Sequence, residues 1–412
     1  MFPSVTLALL AGLGVAFAAY GFLRLITPTD TSKPAAELDV TKVALTVVAG
    51  VGGVVALVIA YRRQRDLEQS RFVERFGAAA AQLGATDVAV RIAGVYAMAG
   101  VADESDGLRR QQCIDVLCGY LRLPYRPELG TNHQSKLVLK HHRATADGTR
   151  ADDEERHLEY RHNDREVRAT IIRVIAAHLR TPAEYSWSAS DFDFRTAHLE
   201  DVGFSRVTFD GTADFDGVTF DGTADFDAAT FSGEIRFNQA TFSGAAWFRG
   251  AVFSGETRFN HAVFSSEATF STAIFSSEAT FSAATFSGET RFNRAIFSAA
   301  TWFNNATFSG ETRFRDATFS GATRFTYATF SGTTTFVAAA FSGATWFRGA
   351  AFSGEVEFGE VDFGCEAISF CQPQTVGSAS TGVRLGRGLV SEARQHRTAR
   401  LATERDNPAN TR

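Results

Sequence analysis

Lysine, methionine and cysteine are scarce in this chain of 412 residues: Lys occurs only at 33, 42, 136 and 140, Met twice and Cys four times. Cys113, Cys118, Cys365 and Cys371 are too few and too unevenly spaced to staple a chain of this length, and spacings of five and six match neither a redox pair nor a zinc knuckle. They read as reduced, packed thiols. An excess of one charge is also missing, with 41 basic and 46 acidic residues for a net of −5. That excludes a chain steered to nucleic acid by its overall charge. A charged fraction of 21 % excludes a polytopic transporter, and the aromatic fraction of 12 % excludes an intrinsically disordered chain. No nucleophile-base-acid arrangement, phosphate loop or His-Glu-x-x-His occurs. The glycines of GVRLGRG, Gly382, Gly386 and Gly388, have no strand-to-helix context. The sequence therefore reads as non-enzymatic, with no catalytic residue, cofactor or metal site.

Long uncharged runs are confined to the amino end. Val5 to Leu23 and Val43 to Tyr61 are each 19 residues without a charge, about 28 Å of helix, enough to span a hydrocarbon core. They are expected to form a transmembrane hairpin over residues 1–62, joined by the polar segment from Thr27 to Lys42. Ala16-Phe17-Ala18 offers a cleavage-like site, but the basic region of a signal peptide is missing. Arg62, Arg63 and Arg65 follow the second run, which places the carboxyl side in the cytoplasm.

Residues 63–183 read as a helical linker domain. Its expected helices are Asp66 to Leu83 (Leu67, Phe72, Phe76, Ala80 and Leu83 inward), a second capped by Thr86 or Asp87 with Val88, Ile92, Val95, Tyr96 and Ala99 inward, and a third from Leu108 to Leu121 with Ile114, Leu117 and Cys118 inward. A polar loop over 126–153 and a long helix over 152–180 follow. His141, His142, His157 and His162 lie close in sequence. The five-residue step from His157 to His162 does not place both on one helical face, so a solvated, charged segment is the reading.

What is abundant is phenylalanine, 38 residues. Thirty of them, from Phe204 to Phe363, step by five and six alternately without a miss. Fixed self-similarity of this kind marks a solenoid. The residue two before each Phe is always Ala, Thr, Val or Ile, and in extended chain both point the same way. Each side of a coil then sends a small residue and a Phe inward. Four sides, in the order five, six, five and six, close one coil, with Ser-Gly after alternate Phe residues (Ser232-Gly233, Ser254-Gly255, Ser309-Gly310) turning the corner. Coils about 4.8 Å apart would build ladders of Phe on Phe, seven and a half coils giving a rod of roughly 36 Å.

Units such as Ala306-Thr307-Phe308-Ser309-Gly310 and Ala328-Thr329-Phe330-Ser331-Gly332 resemble bacterial pentapeptide-repeat proteins, whose fold is an all-β solenoid, a right-handed quadrilateral β-helix. The resemblance covers about Phe194 to Phe363, within a solenoid domain expected over 190–370 and preceded by the helical segment and the membrane hairpin. The front end, RFVERFGAAAAQLGATDVAVRIAGVYAMAGVAD, is similar to that of membrane-anchored members. The resemblance implies a multi-pass protein of the bacterial inner membrane that presents a cytoplasmic rod to a protein partner, as a scaffold. Some soluble members mimic DNA and inhibit topoisomerases such as gyrase, which is the alternative.

From Phe204 to Phe363 there are 17 acidic residues and 10 Arg. A duplex mimic needs one negative charge per about 1.7 Å of axis, so nucleic-acid mimicry is disfavoured. Only the first coil, with Asp210, Asp214, Asp216, Asp221, Asp225 and Asp227, is strongly acidic. Trp247, Trp302 and Trp346 each precede a Phe and should face outward. With Asp214 and Asp225 they form the candidate interaction surface. Residues 371–412 are an Arg-rich tail, compatible with a capping helix over 389–405, a homodimer contact, a lipid contact or a solvated end.

Overall fold

The computed structural model describes residues 21, 22, 25, 35–125, 127, 136–141, 154–159, 164–364, 368, 369 and 383–385. The chain divides into two compact units, Met1–Gly77 and Ala78–Arg412. Helix α1 (Ala35–Leu83) runs through the division, followed by α2 (Val88–Asp103), α3 (Gly107–Leu121) and α4 (Asp164–Leu179). Among the described residues no helix is long and apolar enough to cross a membrane. The expected transmembrane hairpin is therefore not part of the described fold. Of the first run, only Gly21 and Phe22 are described. The second lies within α1, with the side chains at 43–45, 47, 48 and 51 outside the description. The helix begins earlier than the apolar run, at Ala35, and continues past it through Arg62, Arg63 and Arg65 to Leu83.

The helices that follow obey local signals. Asp87 caps α2, its carboxylate accepting from the backbone N–H groups of Ala89 and Val90 at 2.7 and 3.3 Å. The α2 stripe is rotated from the expected one: Val95, Met98, Ala99 and Ala102 are buried, whereas Tyr96 and, in α1, Leu67 are exposed. The reason is Gly94, where any Cβ would overlap the Leu83 backbone, so the end of α1 crosses α2 at a glycine. Ile114, Leu117 and Cys118 face inward on α3 as expected, with Cys113 beside them. Cys365 and Cys371 lie outside the described residues.

Within the long helix expected over 152–180, Glu154–Glu159 is instead a strand and α4 starts only at Asp164; its antiparallel partner, Lys136–His141, lies within the loop expected over 126–153. Their register sets Lys136 opposite Glu159, Lys140 opposite Glu155 and Leu137 opposite Leu158. It also places His157 opposite Val138 on a strand. His142 and His162 lie outside the described residues.

From Phe192 onward the chain winds into a right-handed β-solenoid of about eight turns. Four parallel faces follow one another along each coil, and each short strand pairs with its counterpart one coil on, as Thr241–Phe242 does with Val263–Phe264. Face I includes Ile235–Arg236, Thr257–Arg258, Ala279–Thr280, Thr301–Trp302, Thr323–Arg324 and Thr345–Trp346. Face II includes Thr241–Phe242, Val263–Phe264 and Thr285–Phe286; face III Ala246–Trp247, Ala268–Thr269 and Thr290–Arg291; face IV Val252–Phe253, Ile274–Phe275 and Ile296–Phe297. Faces I and III oppose each other, as do II and IV.

The interior is four ladders of phenylalanine. Rings one coil apart stack nearly parallel, as in Phe237 on Phe259 at 4.7 Å and Phe264 on Phe286 at 4.7 Å. The ladders of faces I and III also meet edge to face across the centre, as in Phe259 against Phe270 at 5.6 Å and 85°. Offset stacking and edge contact are the two arrangements that the ring quadrupole favours. From Phe231 to Phe352, Ala fills the position two before each Phe of faces II and IV. On faces I and III that position is often a buried Thr, whose hydroxyl donates to the carbonyl two residues back, as Thr290 does to Gly288 at 3.4 Å.

The two corners of a side are built differently. Gly at the Ser-Gly corner has no positive φ. Instead, a Cβ on Gly310 would overlap the Gly288 carbonyl one coil below, so the missing side chain permits close stacking. The left-handed turn lies at the other corner, twice in each coil, and is made mostly by non-glycine residues such as Gln239 (φ 57°), Ala283 (φ 55°) and Asn305 (φ 55°). The extra residue in alternate sides belongs to the Gly corner.

Helices α2 to α4 close the amino end of the solenoid. Arg122 pairs with Asp193, Arg168 donates to the His198 carbonyl at 3.0 Å, and Trp187 Nε1 donates to Asp103 at 2.8 Å. At the other end Ile368–Ser369 pairs with Thr345–Trp346 and Val383–Leu385 with Val356–Phe358, so the ladder continues into the tail. The rest of the tail, including 389–405, lies outside the described residues.

Candidate functional site

Alternation along each short strand decides what the outside displays. Faces II and IV turn out Thr241, Val263, Thr285 and Thr307, and Val252, Ile274, Ile296 and Thr318, each followed two residues on by Ser. These rows carry no charge. Faces I and III turn out Arg, Asp, Glu, Thr and Trp, and all three outward tryptophans lie there.

Most arginines on faces I and III are closed by acids. Glu-x-Arg-Phe recurs at 234–237, 256–259, 289–292 and 311–314, and within each the Arg donates to the Glu: Arg236 to Glu234 at 2.8 Å, Arg258 to Glu256 at 2.8 Å, Arg291 to Glu289 at 2.7 Å and Arg313 to Glu311 at 2.7 Å. Each also reaches an acid one coil below, as Arg258 does Glu234 at 2.7 Å and Arg313 does Glu289 at 3.0 Å. The hydrogen bond from Arg236 holds the Glu234 carboxyl below its ordinary value. The result is a ladder of alternating charge with little net field.

The expected interaction surface separates into parts. Trp302 and Trp346 stand on face I, with Arg324 between them in register. Its guanidinium lies 4.4 Å from the Trp302 ring centroid and 4.9 Å from that of Trp346. Trp247 is on the opposite face III, beside Arg249 at 5.2 Å, and Arg249 is itself paired with Asp227. The three tryptophans are not one surface.

Asp214 and Asp225 are tied into the fold. Asp214 accepts from the Asp216 N–H and Asp225 from the Asp227 N–H, both at 3.0 Å, and Asp214 also lies 3.4 Å from Arg236. Asp216 accepts from the N–H of Asn238 at 2.7 Å, one coil up. The acidic first coil thus satisfies backbone donors, a role that Asn238 and Asn260 continue in later coils. Among the described residues no group of three or more His, Cys, Asp or Glu could hold a metal ion.

Two features escape a reading of the sequence. One is the buried pair of arginines in the helical part. Arg91 donates to Asp164 at 2.6 Å and to the Tyr120 hydroxyl at 3.0 Å, and Arg168 lies 4.4 Å from the Tyr125 ring. Burial raises the Tyr120 hydroxyl pKa and pushes the Cys113 thiol up to about 11. Nothing in the local sequence marks these arginines as buried. The other is Arg324, and here a signal existed: the sequence reads Ala322-Thr323-Arg324-Phe325 where the other four arginines have Glu two positions before.

The model for pentapeptide repeats matches residues 204–250, 237–285, 270–318, 281–329 and 316–362, nine copies in all. This stretch is a pentapeptide-repeat β-solenoid. Neither the comparison with curated proteins nor that with solved structures found a match.

Proposed function

We propose that the chain is a non-enzymatic scaffold that presents its pentapeptide-repeat rod to a protein partner. The observation that carries this reading is the division of labour in the coil. Phe, Ala and Thr fill the interior, no acid is buried among the described residues, and the outer rows hold Trp, Arg and Glu at fixed spacing on a rigid backbone. Such a surface favours recognition because little conformational freedom is lost on binding. Crosslinking followed by mass spectrometry, with the full chain in its native membrane or cytosol, tests it: crosslinks from faces I or III to a recurrent protein are expected, and their absence sinks the reading.

The attachment we propose is to the inner membrane of a bacterial cell, with the rod on the cytoplasmic side. Its support is the uncharged stretch 43–61, helical throughout, followed by Arg62, Arg63 and Arg65. Val54, Leu57, Val58, Ile59 and Tyr61 are exposed along it, apolar surface that lipid would cover. Resistance to alkaline carbonate extraction is the expected result; release into the supernatant sinks it. Inhibition of a topoisomerase by duplex mimicry is not proposed, because the carboxylates of Glu234, Glu256, Glu289 and Glu311 are each closed by an arginine.

A further inference from the structure

Arg324 differs from every arginine of the Glu-x-Arg-Phe ladders. Its neighbour two positions before is Ala322, and among the described residues no carboxylate pairs with it. Its guanidinium carbon lies instead over the indole rings of Trp302 and Trp346, one coil below and one above. Stacking of this kind fixes the plane of a guanidinium and leaves its N–H edge free, and the Arg324 side chain is exposed.

The surroundings reinforce the difference. In the three coils of face I that carry Trp302, Arg324 and Trp346, the flanking rows are Ala300, Ala322 and Ala344 on one side and Asn304, Thr326 and Arg348 on the other. Acids are absent from this patch, which holds two arginines, while the whole repeat from Phe204 to Phe363 has 17 acids against 10 Arg. One coil lower the acidic row resumes at Glu278 and continues through Glu256 and Glu234.

We propose that Trp302, Arg324 and Trp346 form a carboxylate-binding clamp whose occupant is a short acidic peptide segment of a protein partner. This rests on the scaffold reading above and names its contact point. The guanidinium supplies paired donors that match a carboxylate, and the two indoles supply apolar walls for the side chain carrying it. Two coil steps of about 4.8 Å accommodate about three residues of extended chain at about 3.3 Å each. Single-stranded nucleic acid fits less well, since a phosphate backbone needs a continuous basic track and the next coils down would repel it.

The test uses the full chain and a dye-labelled hexaglutamate peptide read by fluorescence anisotropy, with hexaglutamine as control. Hexaglutamate is expected to bind and hexaglutamine not. Arg324→Gln should weaken binding at least tenfold, and Arg324→Lys should not restore it, because an ammonium cannot lie flat between two indoles. The double variant Trp302→Thr with Trp346→Thr should weaken it severalfold while keeping the fold, since Thr280 already occupies the register position of Trp302 one coil lower. Arg313→Gln on face III should change nothing. No hexaglutamate binding, binding unchanged by Arg324→Gln, or preferential displacement by oligo-dT or by phosphatidylserine vesicles overturns the proposal. Partner crosslinks that persist on other faces after such a failure would leave the scaffold reading standing, whereas loss of all crosslinks would remove that reading too.

Discussion

Faces I and III and faces II and IV are built from the same coil, close the same phenylalanine core and repeat at the same interval, yet they present opposite chemistry. From Thr230 to Ser353, faces II and IV show uncharged rows of Thr, Val, Ile, Ala and Ser. Faces I and III show arginine, acids and all three outward tryptophans. The difference traces to one residue. The side leading to a face I or III phenylalanine has six residues rather than five, and the extra position is where Glu234, Glu256, Glu289 and Glu311 stand. A five-residue side has no such place. Architecture that looks fourfold is therefore twofold in what it can recognise, and charge can be placed or withheld on the six-residue sides without touching the core.

The comparison begins in the core, where the largest effects are expected. Phe281 belongs to face I, stacks on Phe259 and Phe303, and also meets the edges of Phe270 and Phe292 from face III. Phe286 of face II stacks on Phe264 and Phe308 and meets Phe292 edge-on, but among the described residues no ring of the opposite face IV. Replacing either by Ala should destabilise by about 3–5 kcal/mol, with Phe281→Ala the costlier. Urea unfolding followed by circular dichroism decides the order; equal costs would mean that the edge contacts across the centre add nothing.

The two corners should respond in opposite directions. At the Gly corner that opens the six-residue side, Ala299, Ser266 and Ser277 show that a coil can admit one Cβ, but a branched side chain at Gly310 would press on the Gly288 carbonyl. Gly310→Val should therefore cost about 2 kcal/mol or more. At the left-handed corner Ala283 holds φ 55° with a Cβ, so Ala283→Gly should stabilise by about 0.5–1 kcal/mol. Thermal unfolding of the two variants reads both signs, and a destabilised Ala283→Gly would show that the corner is not strained.

The solenoid was legible because its signal is global: thirty phenylalanines in a five-and-six rhythm leave no other period, and alternation then turns Trp247, Trp302 and Trp346 outward. What was not legible was which face each side belongs to. Trp247 and Trp302 are indistinguishable locally, since each stands before a Phe on a six-residue side, and only the winding places them on opposite faces. What glycine does at its corner was not legible for a similar reason. Gly310 answers to Gly288 in the coil below, a contact one full winding away along the chain. In the helical part the errors were local ones. Glu154–Glu159, read from its Glu- and Arg-rich sequence as helix, pairs with Lys136–His141, a partner that lies outside the segment and that its own periodicity does not reveal.

The smallest effect expected separates two halves of one face. In the lower coils of face I, Glu234 is held below its ordinary value of 4.5, chiefly by its hydrogen bond from Arg236. A lowered native value means that the pairing stabilises the fold above pH 4.5 and that this contribution is lost as pH falls through the native value. The carboxylate is half-buried and still in contact with solvent, so the change is modest, close to that of other surface ion pairs. In the upper coils of face I, with Trp302, Arg324 and Trp346, no acid stands in the flanking rows. Hydrogen exchange at pH 7 and again on the acid side, corrected for intrinsic rates, should show protection falling in the face I strands Ile235–Arg236 and Thr257–Arg258 while that in Thr301–Trp302, Thr323–Arg324 and Thr345–Trp346 holds. Equal loss in both halves would mean that the phenylalanine ladders couple the coils so tightly that surface charge on one half is felt along the whole rod.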